Sequence, residues 1–231
     1  GTIRVNNTGQ YASAANATLG VAQYSACTAR GIYQNANTTV NISGGRIEAV
    51  GTREVYGIVE ESSAANTTYL NITGGEIYAE APAYAYGICA FGKLNISGGT
   101  INTHINTNMV NAYYAADNAN NANNGYGYGI FVQTKAYATP STCYAGTLTM
   151  TGGTVHVVSD RTKAAELPNY GIYINTKVAS VGVDKTATDG TKSEKASAAA
   201  SIENATINVT SGTNNSYGVM ARGSYNSYDK T

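Results

Sequence analysis

The chain has 231 residues with 14 Lys+Arg against 14 Asp+Glu, and charged residues make up 12% of it. A neutral chain carrying about half the usual share of charge does not fit an electrostatic nucleic-acid binder, which needs a basic face. No run approaches the roughly 18 apolar residues a membrane-spanning helix needs, and abundant Asn, Thr, Ser, Gly and Tyr with no Trp fits a solvated strand protein.

In chain order, the sequence opens on Gly1-Thr2-Ile3, the tail of a motif first written in full as Val40-Asn41-Ile42-Ser43-Gly44-Gly45-Arg46-Ile47. The motif returns as Leu70-Asn71-Ile72-Thr73-Gly74-Gly75-Glu76-Ile77, then as Leu94-Asn95-Ile96-Ser97-Gly98-Gly99-Thr100-Ile101. A fourth copy is Leu148-Thr149-Met150-Thr151-Gly152-Gly153-Thr154-Val155, and a degenerate one from Ala200 to Ile207 replaces the glycines with Asn204-Ala205. Each copy reads as a short strand, a two-glycine corner and a second short strand, with Ile42 and Ile47 inward and Asn41, Arg46 and Glu48 outward. A second marker alternates with the first: Arg30-Gly31-Ile32, Tyr56-Gly57-Ile58, Tyr86-Gly87-Ile88, Tyr128-Gly129-Ile130, Tyr170-Gly171-Ile172 and Tyr217-Gly218-Val219.

The corners are spaced irregularly, by 44, 30, 24, 54 and 52 residues counted from Gly1. Helical repeats keep a nearly fixed period, whereas fixed short strands joined by variable loops describe a parallel β-helix. The expectation is an all-β fold, a right-handed parallel β-helix of about six turns filling one domain, 1–231, with handedness taken from the general rule for parallel crossovers. Stacked in register, the inward column reads Ile3, Ile47, Ile77, Ile101, Val155, Ile207. Beside it, the outward columns Thr2, Arg46, Glu76, Thr100, Thr154, Thr206 and Arg4, Glu48, Tyr78, Asn102, His156, Asn208 each set an Arg against a Glu.

Two further ladders follow from the register. Tyr56, Tyr86, Tyr128, Tyr170 and Tyr217 recur in phase and are expected to stack; a sugar-binding strip would need those rings exposed. Asn41, Asn71 and Asn95 form an amide ladder. They also match the N-glycosylation acceptor pattern, as do Asn6, Asn16, Asn37, Asn66, Asn204, Asn208 and Asn214, which matters only in a host that glycosylates.

Extra length is spent at two corners, in excursions over 6–30 and 104–127 and over 133–147 and 176–199, while 51–55, 80–85 and 90–93 are short. Of these, 104–127 mixes Asn with Tyr and is the best candidate for touching a ligand, and 184–199 is polar. Cys27, Cys89 and Cys143 form an odd set without C-x-x-C, so idle thiols are expected before a Cys27–Cys89 bridge.

The Asn-Ile-Ser/Thr-Gly-Gly-x-Ile run with its intervening Tyr-Gly-Ile resembles the repeats of large bacterial and archaeal adhesin-like surface proteins of the pectate-lyase-like β-helix type. It is also similar to the Gly-Gly-Ala-Ile repeats of chlamydial polymorphic membrane proteins and autotransporter passengers. The resemblance rests on Gly44-Gly45, Gly74-Gly75, Gly98-Gly99 and Gly152-Gly153, and implies a β-helix in an extracellular setting. The chlamydial Phe-x-x-Asn partner and a β-barrel translocator are missing from it.

Catalytic β-helices of the polysaccharide-cleaving kind resemble one another in clustering Asp, Arg or Lys on one outer sheet. Here the best cluster is Asp160 and Arg161 near the outward His156, while His104 and His156 fall in different columns, poor geometry for a shared metal. Residues 125–129 are not a dinucleotide loop, Asp189 and Lys195 spoil a calcium loop counted from Asp184, and Arg46 and Glu76 break the Thr100, Thr154, Thr206 column as an ice-binding face.

The expected role is therefore a non-enzymatic, extracellular, adhesin-like structural β-helix, scaffold of a cell-surface stalk or filament, with no cofactor and no metal. Its expected partners are copies of itself or further β-helix turns stacked end to end, with surface glycans as a lesser class. Lacking an initial Met, a signal peptide and a polar cap at either end, the sequence reads as a mature or excised segment of a longer chain or as an end-to-end protomer. The alternative is a polysaccharide-binding or polysaccharide-cleaving β-helix.

Overall fold

A computed structural model describes residues 1–7, 28–61, 68–109, 126–136, 143–160, 168–177, 198–212 and 215–224. The first pass of the chain forms β1 (Thr2–Asn7), β2 (Thr28–Gln34) and β3 (Thr39–Ile42), and the second β4 (Arg46–Gly51), β5 (Glu54–Glu60) and β6 (Tyr69–Ile72). The third forms β7 (Glu76–Ala81), β8 (Tyr84–Ala90) and β9 (Lys93–Ile96). The fourth forms β10 (Thr100–Ile105), β11 (Tyr126–Ala136), a short β12 (Cys143–Ala145) and β13 (Thr147–Met150). Then come β14 (Thr154–Ser159), β15 (Asn169–Lys177) and β16 (Ala199–Ile202), and finally β17 (Thr206–Ser211) and β18 (Ser216–Ser224).

Each pass delivers its strands to the same sheets. Sheet A runs β1-β4-β7-β10-β14-β17, sheet B β2-β5-β8-β11-β15-β18 and sheet C β3-β6-β9-β13-β16. All these pairings are parallel; β12 alone pairs antiparallel, folding back on β11. Three stacks of parallel strands visited in cyclic order are consistent with a parallel β-helix.

Alternation decides which side chains go inside. In β4, β7 and β10 every second residue is buried, placing Ile47, Ala49, Ile77, Ala79, Ile101 and Thr103 inward. Leu70, Leu94 and Leu148 with Ile72, Ile96 and Met150 supply the sheet C side of the same core. Sheet B supplies Ile58, Ile88, Ile130 and Ile172, each 0% exposed.

Glycines mark the places where successive passes come too close for a Cβ. The second corner glycine takes a positive φ, 84° at Gly45, 90° at Gly75, 89° at Gly99 and 96° at Gly153. In the degenerate copy the left-handed conformation moves one residue earlier, to Asn204 at φ 49°, a residue type that tolerates it. The marker glycine answers a different need. A Cβ on Gly87 would lie 2.4 Å from Ile101 Cγ2 and 2.5 Å from the Gly129 carbonyl oxygen.

The excursions are shorter than the sequence reading has them. His104 and Ile105 still belong to β10, Tyr126 and Gly127 to β11, Asn6 and Asn7 to β1, and Thr28 to Arg30 to β2. Thr176 and Lys177 likewise extend β15, and Ala199 opens β16. The reason is backbone pairing, which keeps a strand extended while its neighbour offers partners. Expected as loop, 133–147 begins instead with a hairpin in which Thr134 faces Ala145 and Ala136 faces Cys143. The centres of the excursions at 110–125 and 184–197 lie outside the described residues, as do Cys27, Arg161, Asn16, Asn66 and Asn214.

Candidate functional site

On sheet A, Ile3, Ile47, Ile77, Ile101, Val155 and Ile207 are Cα partners from strand to strand. Ile47 to Val155 are 0–5% exposed, whereas Ile3 is 47% exposed. The outward charges form a chain across passes. Arg4 pairs with Glu48 at 3.0 Å, Arg46 with Glu48 at 2.9 Å and also with Glu76, which in turn accepts from Asn102 Nδ2 at 2.7 Å. Hydrogen bonds that Arg46 donates to Glu76 and then to Glu48 raise the Arg46 pKa, and the same Arg46 bond lowers that of Glu48. With Arg4 66% exposed, this network contributes little to stability.

Further along the outer face of sheet A the structure builds a histidine between two carboxylates. His104 Nε2 lies 2.7 Å from Asp160 Oδ2, and its Nδ1 lies 3.6 Å from Glu80 Oε1. The Tyr78 hydroxyl donates to Glu80 Oε2 at 2.6 Å, and Asn106 Nδ2 donates to Glu80 Oε1. Sequence reasoning sets Asp160 beside His156. The register corrects this: His156 stands opposite Asn102 and Asn208, with Nδ1 3.2 Å from Asn208 Nδ2, and Asp160 follows the strand whose Val158 pairs with His104. Imidazole held at both nitrogens is oriented, and among the described residues its side-chain partners are the carboxylates of Asp160 and Glu80. Among the described residues no group of three or more His, Cys, Asp or Glu is placed to hold a metal ion.

On the outer face of sheet B the tyrosines stack. Ring centroids are 4.5 Å apart for Tyr56–Tyr86, 5.1 Å for Tyr86–Tyr128, 5.0 Å for Tyr128–Tyr170 and 5.5 Å for Tyr170–Tyr217, with interplanar angles of 8–20°. Tyr86 and Tyr128 are buried and Tyr56, Tyr170 and Tyr217 half-buried, so the central rings offer no open face to a sugar. Burial, more than any neighbour, raises the pKa of Tyr56, Tyr86 and Tyr128. A second aromatic column, absent from the sequence reading, lies alongside: Phe131 and Tyr173 stack at 5.4 Å, and Phe131 stacks on Tyr128 at 4.9 Å. Arg30 occupies the tyrosine position in the first pass and reaches over Tyr33 and Tyr56. Cys89 sits in the second column as a free, buried thiol whose pKa is pushed up to about 12 by burial.

On sheet C the amide ladder is formed: Asn95 Nδ2 donates to Asn71 Oδ1 and Asn71 Nδ2 to Asn41 Oδ1, each at 2.8 Å. With Thr73, Ser97, Thr149 and Thr151 these residues line an outer groove of about 370 Å³. The ladder commits the very nitrogens that glycosylation would modify at Asn71 and Asn95. Asn6, Asn37, Asn204 and Asn208 are exposed, Asn37 in a turn at φ 62°.

Comparison with family models, with curated proteins and with solved structures finds no match for this chain.

Proposed function

We propose that the chain is a right-handed parallel β-helix of about six turns that acts as a non-enzymatic structural scaffold of an extracellular, adhesin-like stalk or filament. The observation that carries this reading is the way the outer faces are built. Tyrosine, asparagine and Arg–Glu ladders all join one pass to the next, which is the bonding that a lengthwise scaffold needs.

The test is to image the 231-residue segment by electron microscopy across a range of concentrations. Unbranched end-to-end polymers support the scaffold, and a strict monomer at every concentration removes the end-to-end version.

The second reading is polysaccharide binding, favoured by the groove on sheet C, where amides and hydroxyls line the space together with Ile72 and Ile96. An oligosaccharide array run on wild type and on Asn71→Ala decides between them. Retention of a glycan that the variant loses would favour this second reading.

A further inference from the structure

The inner column of sheet B is apolar except at its first two members, where Gln34 in β2 and Glu60 in β5 are paired neighbours, 3% and 0% exposed. Later members of the column are Ala90, Val132 and Ile174. The Gln34 amide nitrogen is committed twice, donating to the Thr38 carbonyl at 3.1 Å and the Tyr69 carbonyl at 2.8 Å. Gln34 Oε1 and both carboxyl oxygens of Glu60 have no hydrogen-bond partner. Three buried acceptors therefore lie on neighbouring side chains without a hydrogen-bonded donor, and one of the groups is a carboxyl.

Among the described residues no cation pairs with this carboxyl, and the backbone N–H groups of Gly92 and Lys93 favour a negative charge less than burial opposes it. Gly92 packs against the carboxyl so closely that a Cβ there would lie 2.5 Å from Glu60 Oε1. On β9, the Lys93 ammonium is turned to the Tyr69 hydroxyl at 3.2 Å, and its backbone N–H is committed to the Thr68 carbonyl at 3.0 Å. On β8, Cys89 is a buried neutral thiol on which Glu54, Glu60 and Glu61 all act unfavourably as charges. An isolated buried carboxylate is far costlier than a buried carboxylic acid, which can donate one hydrogen bond.

We propose that Glu60 binds a proton in the folded chain and donates it to Gln34 Oε1, making this corner a pH-operated latch between the first two passes. One proton pairs one carboxyl oxygen with the Gln34 amide oxygen and cuts the three orphaned acceptors to one. Gly92 is required because the carboxyl fills the space of its side chain.

Burial raises the Glu60 pKa from 4.5 to about 7, tempered by the backbone N–H groups of Gly92 and Lys93. A folded-state value above the unfolded one means that the folded chain holds the proton more tightly. The contribution is complete below the ordinary carboxylate range and is lost as pH rises to about 7, levelling off above it. Over that window the unfolding equilibrium constant rises by about two orders of magnitude from this group.

The test has two parts, both on the full 231-residue chain. Carbon-13 NMR of the Glu60 carboxyl is expected to titrate near neutral pH, and titration in the ordinary carboxylate range overturns the proposal. Urea midpoints of wild type and Glu60→Gln are then compared from pH 5 to 8.5, because glutamine keeps the shape and a donor but cannot ionise. The difference between the two should shift steadily in favour of the variant as pH rises. Parallel profiles overturn the latch, as does stabilisation of wild type but not of the variant by added calcium chloride at pH 8, which would put a cation where the proton is placed. Should Glu60→Gln fail to fold, the wild-type titration decides alone.

Discussion

Ile3 and Ile101 hold the same position in sheet A, each two residues after a corner glycine (Gly1 and Gly99), yet one is 47% exposed and the other 2%. The difference is a single missing neighbour. The same contrast holds for the marker glycines: Gly87 has the next pass within 2.5 Å of its absent Cβ, while Gly218 has nothing within 4 Å. In this fold a residue's worth is set by whether a pass lies on both sides of it, as expected where each repeat touches only its neighbours.

Substitutions matched between the middle and the ends should sharpen or break that contrast. Ile101→Ala is expected to cost about 2–5 kcal/mol in urea unfolding and Ile3→Ala well under half of that, because the second removes little buried surface. Equal losses would contradict the nearest-neighbour picture. Gly87→Ala should cost about 1–3 kcal/mol through contact with Ile101 and the Gly129 carbonyl, whereas Gly218→Ala should leave the midpoint nearly unchanged or slightly raised. Tyr128→Leu keeps apolar bulk but removes stacking on Tyr86, Phe131, Tyr170 and Tyr173. It should lose about 0.5–1.5 kcal/mol for each ring pair that mattered, and Tyr217→Leu, stacked on Tyr170 alone in the tyrosine column, should lose less.

The columns on sheets A and C were readable because glycine pairs fix the phase of each copy, after which counting by two finds Ile47, Ile77 and Ile101 or Asn41, Asn71 and Asn95. Counting by two fails at the marker glycine. A Cβ on Gly129 would point at Val155 in the interior, and the next residue, Ile130, is also buried, so Tyr128 and Phe131 emerge on one face though three residues apart. That local bend hid the second aromatic column. Asp160 was misassigned for a related reason: it stands just past the end of β14, where a side chain is free to reach along the sheet to His104. Glu60 left no trace in the sequence, since a carboxyl following Val59 at a strand end reads as solvated until Gln34 and Gly92 close over it.

Amide hydrogen exchange, resolved by pass and repeated from dilute to concentrated solution, tests the central claim most directly. The account predicts strongest protection in β7, β8 and β10, weak protection in β1, β17 and β18 when dilute, and rising protection in those end strands alone as concentration increases. Uniform protection from end to end in dilute solution, or end strands indifferent to concentration, would contradict it.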